Sequence, residues 1–451
     1  MSMENARHRQ ENAFLRAAAQ LAPAADAPSL AAPFDWAYTL RAGDRQGITP
    51  LMHAYLQSSG LSAPPKVIAD LHATYWQNHF RNRALMAELA RILHAVAGAG
   101  VDAMPLKGAV LAPLYYPAIA LRPLSDLDFM IRPDDVERFA TILRGLGYRE
   151  EVGRPTLDPR VEHPLLREWL FVRHTPEITL LVEYRVESLD PALGTLLACD
   201  PALVARLLRH ADDMWRRARM ETFDGAPFWR SAPEDLLIHV ASHLATRHAG
   251  YRLLWLHDLC RITAAQTDDL DWAFVGVEAR SLRLHASVFA ALEAAHDWLD
   301  APISLDAIRA SFFGGSRRGS AMPRAEYALL AAHRATLADA DLTQEPPLQW
   351  WMLAGSLLRL RGVRPYLRAI GWTLLPGRAY MAAWRSKPGD TSLRGYLAGI
   401  LLRAALGGVS VIAAVGRRAK IPGLPAWCDR LLWRKRPFAM YRPDNDATGS
   451  L

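Results

Sequence analysis

Cysteine is scarce. The 451 residues hold three, Cys199, Cys260 and Cys428, odd in number and far apart. That pattern excludes a disulfide framework and a Cys-x-x-Cys metal knuckle, and it fits a reducing cytosol. The first twelve residues lack the apolar stretch of a signal peptide; they are polar and mixed in charge, so no secretory leader is expected there. Acids are nearly missing from one region. Between Trp351 and Phe438, sixteen Lys or Arg stand against two acids, Asp390 and Asp429. That segment carries +14 in a chain of net charge +7, which leaves −7 for the remainder. No internal repeat is visible. His239 and His243 share a helical face, but no Glu follows His239, so the zinc-protease pattern is absent and the pair reads as packing or hydrogen-bonding groups.

What is present is ordinary for a globular chain: 51% apolar and 22% charged residues, with room for about three domains at roughly 150 residues each. Residues from Asn5 to about Ala97 read as helical, with Leu85, Leu89, Ile92 and Val96 at helical spacing and Pro64-Pro65 as a break before them. Val101 to Leu106 reads as the first strand and Ala109 to Tyr115 as a short helix. Pro133-Asp134-Asp135 starts a second helix, with acids at the positive end of its dipole and a stripe of Val136, Phe139, Leu143 and Leu146 that stops at Gly147. Ile178 to Val186, rich in branched residues, is the clearest strand. From Pro191 the pattern is helical: Ser231 to Glu234 is a capping box for a helix to about His248, and further helices follow at 253–263, 272–278, 282–299 and 324–340. The expected fold is α+β, a small mixed sheet with helices on both sides in sequence.

Asp126 and Asp128, followed by the apolar run Phe129 to Ile131, fall at a strand start. Residues two apart share a strand face, so the two carboxylates lie side by side. Such a pair is costly without a cation. A hard divalent ion such as Mg²⁺, shared with substrate phosphates, removes that cost. Upstream, Lys107-Gly108 is a strand-end turn where bare backbone and an ammonium can approach a phosphate. A later acid, Glu183, sits mid-strand, where an unpaired carboxylate is expensive. The plainer readings are a solvated Asp capping a turn, a Glu183 paired with Arg185 or Arg173, a surface pair of Arg122 with Asp126, and Ser125 as turn chemistry. An Asp-x-Asp phosphatase fits poorly, because Arg122-Pro-Leu-Ser precedes Asp126 and Met130 stands where Thr or Val is wanted.

Leu106-Lys107-Gly108, Arg122, Asp126-Leu127-Asp128 and Leu146-Gly147-Tyr148 resemble, position by position, an uncharacterised bacterial nucleotidyltransferase family of the DNA polymerase β-like nucleotidyltransferase superfamily. The superfamily usually has Gly followed by Gly or Ser; Ala109 here is a departure that this subfamily shares. The resemblance runs from the N-terminal helices to about Asp258, and more faintly to Pro376–Tyr380. It implies a Mg²⁺-dependent transferase with two ions and a nucleoside triphosphate (NTP) substrate such as ATP. Asp126, Asp128 and Glu183 would hold metal, and Lys107, Gly108, Arg122 and Ser125 would meet the nucleotide. The family strand often reads acid-hydrophobic-His, and Arg185 stands where that His would be. His163, His243 and the Trp255…Asp258 pair match family positions without an assigned role.

The expected organisation is an N-terminal helical region (1–100), a nucleotidyltransferase α/β core (101–190), a helical domain (191–345), a basic, aromatic-rich helical tail (346–443) and a disordered end (444–451). Residues 396–416 of the tail approach the length of a membrane span, but Arg403 inside it is costly there. Trp372, Trp384, Trp427 and Trp433 interleave with Arg and Lys, which suits a membrane interface, a solvated bundle or, less well, nucleic acid. The expected location is therefore cytoplasmic, peripheral to the inner membrane face. The acceptor is a small-molecule, lipid-linked or protein hydroxyl. The contrasting expectation is a non-catalytic, membrane-surface binding protein that keeps the fold.

Overall fold

The computed structural model describes residues 8–21, 23–26, 28, 30, 33–151, 168–186, 200–247, 252–266, 269–313, 342–343, 363–374, 378, 381 and 392–401. The chain divides into two compact units, one formed by 1–151 with 164–360 and the other by 152–163 with 361–451.

The first unit opens with helices α1 (Arg9–Gln20), α2 (Trp36–Gln46), α3 (Thr49–Ser59) and the long α4 (Pro65–Gly98). Asp35 caps α2 by accepting from Tyr38 N, and Gly47 in the left-handed region ends it. Then come β1 (Ala103–Leu106), α5 (Gly108–Tyr115), β2 (Leu127–Ile131), α6 (Val136–Gly145), β3 (Arg149–Glu151), β4 (Glu168–His174) and β5 (Thr179–Arg185). The five strands make one mixed sheet in the order β1-β2-β5-β4-β3, with β2 and β5 parallel and the other pairs antiparallel. The α+β expectation holds.

Alternation along the strands decides the two faces. Phe129, Ile131, Val182 and Tyr184 point to a core shared with Leu85, Leu89, Ile92 and Val96 of α4 and with Phe139 and Leu143 of α6. The stripe read on α4 is thus the layer that closes the back of the sheet. On the front, Met104, Leu106 and Met130 pack against Met214 and Trp215 of α7 (Pro201–Arg217). Burial of these side chains, at roughly 1.5–3 kcal/mol for each large one, is the main force holding the sheet between its helices.

Two features depart from the sequence reading. Strands β3 and β4 are absent from the sequence reading, although Glu168–His174 and Thr179–Arg185 form two β-rich runs around a short turn. The region after Pro191 is also interrupted by a hairpin, β6 (Arg219–Phe223) and β7 (Ala226–Arg230). Its turn is Asp224-Gly225, both at positive φ, the Asp-Gly signal of a tight hairpin. Helices α8 (Pro233–Arg247), α9 (Leu253–Ala265), α10 (Trp272–Ser281), α11 (His285–Leu299) and α12 (Leu305–Phe313) follow, and with α1–α3 they share a second, all-helical core.

In the second unit, α13 (Val363–Leu374) and a helical stretch at 393–401 are described; Leu393, Leu397 and Leu401 are exposed. Among the described residues no helix is long and apolar enough to cross a membrane. The expected helix at 324–340, His163, most of 396–416 and the end from 444 lie outside the described residues.

Candidate functional site

The turn from β1 into α5 places Lys107 at φ 46°, ψ −121°, a conformation that favours glycine. Lys107 therefore stands on a sharp strand-to-helix elbow, with its chain held over the sheet. Gly108 begins α5. A side chain there would meet Arg122 Nη1 at 2.6 Å, so the close approach of the two segments requires glycine.

Between α5 and β2 the chain makes a short crossing, Tyr116 to Asp126, and α4 grips it. Asn82 Nδ2 donates to Ile119 O at 2.5 Å and to Arg122 O at 2.8 Å; Asn78 Nδ2 donates to Ala120 O; Arg81 Nε donates to Leu124 O at 3.0 Å. From within, Arg122 donates to both carboxylate oxygens of Asp258 on α9, each at 2.8 Å, and Tyr116 adds its hydroxyl to Asp258 Oδ1 at 2.5 Å. Both ionic partners are buried, at 7% and 1% exposure. Burial, the Asp258 charge and its hydrogen bond drive the Tyr116 phenol well above its ordinary range, so it stays a donor. Sequence reading gave Arg122 to the nucleotide and left Asp258 without a role; the structure joins the two. Asn78, Arg81 and Asn82 were missed. Their signal is a polar cluster, Asn78 to Asn82 broken only by Phe80, ahead of the stripe Leu85, Leu89, Ile92 and Val96.

The crossing delivers Ser125 and Asp126 to the mouth of β2. Ser125 is exposed and donates to Asp126 Oδ1 at 3.0 Å. Asp126 is half-buried; Asp128, two residues on, is buried. The register then sets Glu183 directly beside Asp128, because the two are Cα partners across the parallel β2–β5 pair. Neighbouring strands lie about 4.8 Å apart, so the two carboxylates share one patch of the front face. One row further along, Arg185 of β5 is opposite Glu168 of β4.

Asp128 Oδ1 accepts from Lys107 Nζ at 3.0 Å and from Arg185 Nη2 at 3.3 Å. The same Arg185 nitrogen is 2.5 Å from Glu168 Oε1 and 3.8 Å from Glu183 Oε2. Burial alone would raise the Asp128 carboxyl, but Lys107 and Arg185 outweigh it and hold Asp128 below the usual range. The other two acids move the opposite way. Burial and then Asp128 push Asp126 up, and burial, Glu168, Asp126 and Asp128 push Glu183 well up. The site is short of positive charge on its Asp126 and Glu183 side.

Among the described residues, no group of three or more His, Cys, Asp and Glu side chains is already drawn together as a metal cage. The donor set nonetheless suits a hard divalent cation. Its atoms are carboxylate oxygens, and burial together with the neighbouring acids pushes two of the carboxyls upward. The remaining candidate, His243, stacks on Trp255 at 4.1 Å between ring centres in the helical layer.

A family model described as an uncharacterised nucleotidyltransferase matches residues 32–300. The match covers α2 to α11, and with them Lys107, Asp126, Asp128, Glu183 and the Arg122–Asp258 pair. No curated protein and no solved structure matches the chain.

Proposed function

The chain belongs to this uncharacterised nucleotidyltransferase family, and from that premise we propose a Mg²⁺-dependent enzyme that transfers a nucleoside monophosphate from an NTP to a hydroxyl acceptor. The observation that carries the reading is the pairing of Asp128 with Glu183 across parallel strands, with Asp126 at the open end. Mg²⁺ held by Asp126 and Asp128, with Glu183 beside them, would supply charge neutralisation for the triphosphate and for the oxygens that attack and leave.

Lys107, 15% exposed on its elbow, can exchange Asp128 for a β- or γ-phosphate oxygen. Beside it, the first backbone N–H groups of α5 have no partner inside the helix and can cradle the same phosphates, which Gly108 leaves accessible. Ser125 holds the Asp126 carboxylate by its hydroxyl and can turn to a phosphate oxygen. Arg122, committed to Asp258, serves by fixing the crossing that aims Ser125 and Asp126. Glu183 takes the proton of the acceptor hydroxyl. The acceptor oxygen then bonds to the α-phosphorus as the bond to the β-phosphate bridge breaks, and pyrophosphate leaves with that electron pair. The N-terminal helices and the helices after the hairpin flank the sheet and would form the acceptor side.

The test is to incubate the protein with each α-labelled NTP and Mg²⁺ and to follow the label. Label should leave the nucleotide for an acceptor while pyrophosphate accumulates. Asp126→Ala and Asp128→Ala should stop both; normal transfer by the two variants would overturn the reading.

A further inference from the structure

Arg185 is the largest fully buried side chain of the described residues, at 2% exposure. Its Nη2 nitrogen stands among three carboxylates, Glu168 at 2.5 Å, Asp128 at 3.3 Å and Glu183 at 3.8 Å. It is a built-in cation at the place where a metal ligated by Asp128 and Glu183 together would have to lie. An ion close to those oxygens would be forced within a few ångströms of the guanidinium, which cannot shed its charge. The Asp128 oxygen nearest Arg185 is further occupied by Lys107 at 3.0 Å.

A charge count points the same way. Asp126, Asp128, Glu168 and Glu183 bring four negative charges, Lys107 and Arg185 bring two positive, and Arg122 is cancelled by Asp258. With all four acids ionised and histidine neutral, two negative charges are left over, which one divalent cation balances. Glu168, Asp128 and Glu183 all face Arg185, whereas Asp126, half-buried, stands at the mouth of β2. The family resemblance implies two ions.

We propose that Arg185, fixed by Glu168, replaces the ion of the Glu183 side, so that the site binds one divalent cation, on Asp126 and the remaining oxygen of Asp128. Arg185 then acts as the permanent electrostatic partner of the acceptor side, and Glu168 is its positioning residue. This rests on the nucleotidyltransferase reading above.

The test counts Mn²⁺ bound per full-length chain by electron paramagnetic resonance, with and without a non-hydrolysable α,β-methylene triphosphate. One Mn²⁺ per chain is expected in both conditions. In Arg185→Leu a second Mn²⁺ is expected with the analogue, and the first should bind about tenfold tighter or more, since a fixed charge a few ångströms away is removed. Arg185→Lys, which keeps the charge and is the milder change for folding, should still bind one. Two Mn²⁺ in the unaltered chain would overturn the single-ion proposal and leave the nucleotidyltransferase reading intact. No Mn²⁺ in either condition, together with no label transfer, would remove both.

Discussion

Arg122 and Asp258, 136 positions apart, form a two-pronged ion pair with both bonds at 2.8 Å and both side chains buried. The pair joins the α5–β2 crossing to the helical layer, so the position of Asp126 depends on a helix that contributes no acid to the site. A buried pair of this kind is strongly destabilising to break from one side, because the other charge is left without a partner.

Asp258→Ala should therefore lower stability by about 3–5 kcal/mol in urea denaturation, with Arg122→Ala costing a similar amount. The double variant should lose clearly less than the two losses added, because the second change removes a charge already stranded. Additive losses would mean that the two residues act separately. Nucleotide affinity measured on the folded fraction should fall in Asp258→Ala, although Asp258 touches no nucleotide.

The two neighbouring acids should part company in stability while agreeing in activity. Asp128 is held by Lys107 and Arg185, so Asp128→Asn should cost about 2–4 kcal/mol through weakened charge-assisted bonds. Asp126 is pushed up by burial and by Asp128, so Asp126→Asn should be neutral or stabilising within about 1 kcal/mol in the metal-free protein. Both should lower transfer at least about a hundredfold. Thermal melting in EDTA, set beside label transfer, reads out both effects.

Glu183 gives the site a pH signature. Its folded-state value lies above its unfolded value of about 4.5. Between the two, the folded chain holds the proton more tightly, so this group's contribution is greatest at low pH and is lost as pH rises through the folded value. In EDTA, Glu183→Gln should gain melting temperature over the unaltered protein as pH is raised from 5 to 8. Mg²⁺ on Asp126 and Asp128 should narrow that gap, since its charge beside Glu183 offsets the repulsion of the neighbouring acids, and its affinity should rise over the same range. A gap that stays constant with pH would mean that Glu183 is not strained by its neighbours.

How much of this was legible beforehand depends on the range of the signal. Asp126, Asp128 and the α4 stripe were readable because strand and helix periods act over a few residues. The elbow at Lys107 can be placed as a strand-end turn, but its positive φ leaves no mark in the local sequence, where a lysine and not a glycine stands. Glu183 reads from the sequence as an acid in an apolar strand, and the family resemblance gives it to the metal; that it faces Asp128 is a matter of register, which a parallel pair joined by a long crossover does not announce. Glu168 was invisible without β4, and the Asp258 partnership could not be seen across 136 residues. The Asp224-Gly225 hairpin was a local signal, overridden by the helical pattern around it.

The last prediction concerns His257, the neighbour of Asp258 on α9. Its ring is 3% exposed, and Nδ1 lies 2.5 Å from Ala19 O at the end of α1. A carbonyl only accepts, so Nδ1 carries the proton of a neutral ring. Burial first, then Arg261 and Arg122, push this histidine down to about 4 against the pull of Asp258 and the Ala19 carbonyl. The unfolded chain binds a proton near 6.5 and the folded chain does not until about 4. The contribution is thus complete above 6.5 and is lost as pH falls towards 4, to a total of about 3 kcal/mol at 1.36 kcal/mol per unit. His257→Gln keeps a donor for Ala19 but cannot titrate. Urea midpoints at pH 7, 5.5 and 4.5 should therefore fall more steeply in the unaltered protein than in the variant. Parallel declines would mean that the ring does not stay neutral. Because α9 carries both His257 and Asp258, acid would loosen α1 through the first and, through the second, the crossing that presents Asp126. Nucleotide affinity should then decline below pH 6.5 before the protein unfolds.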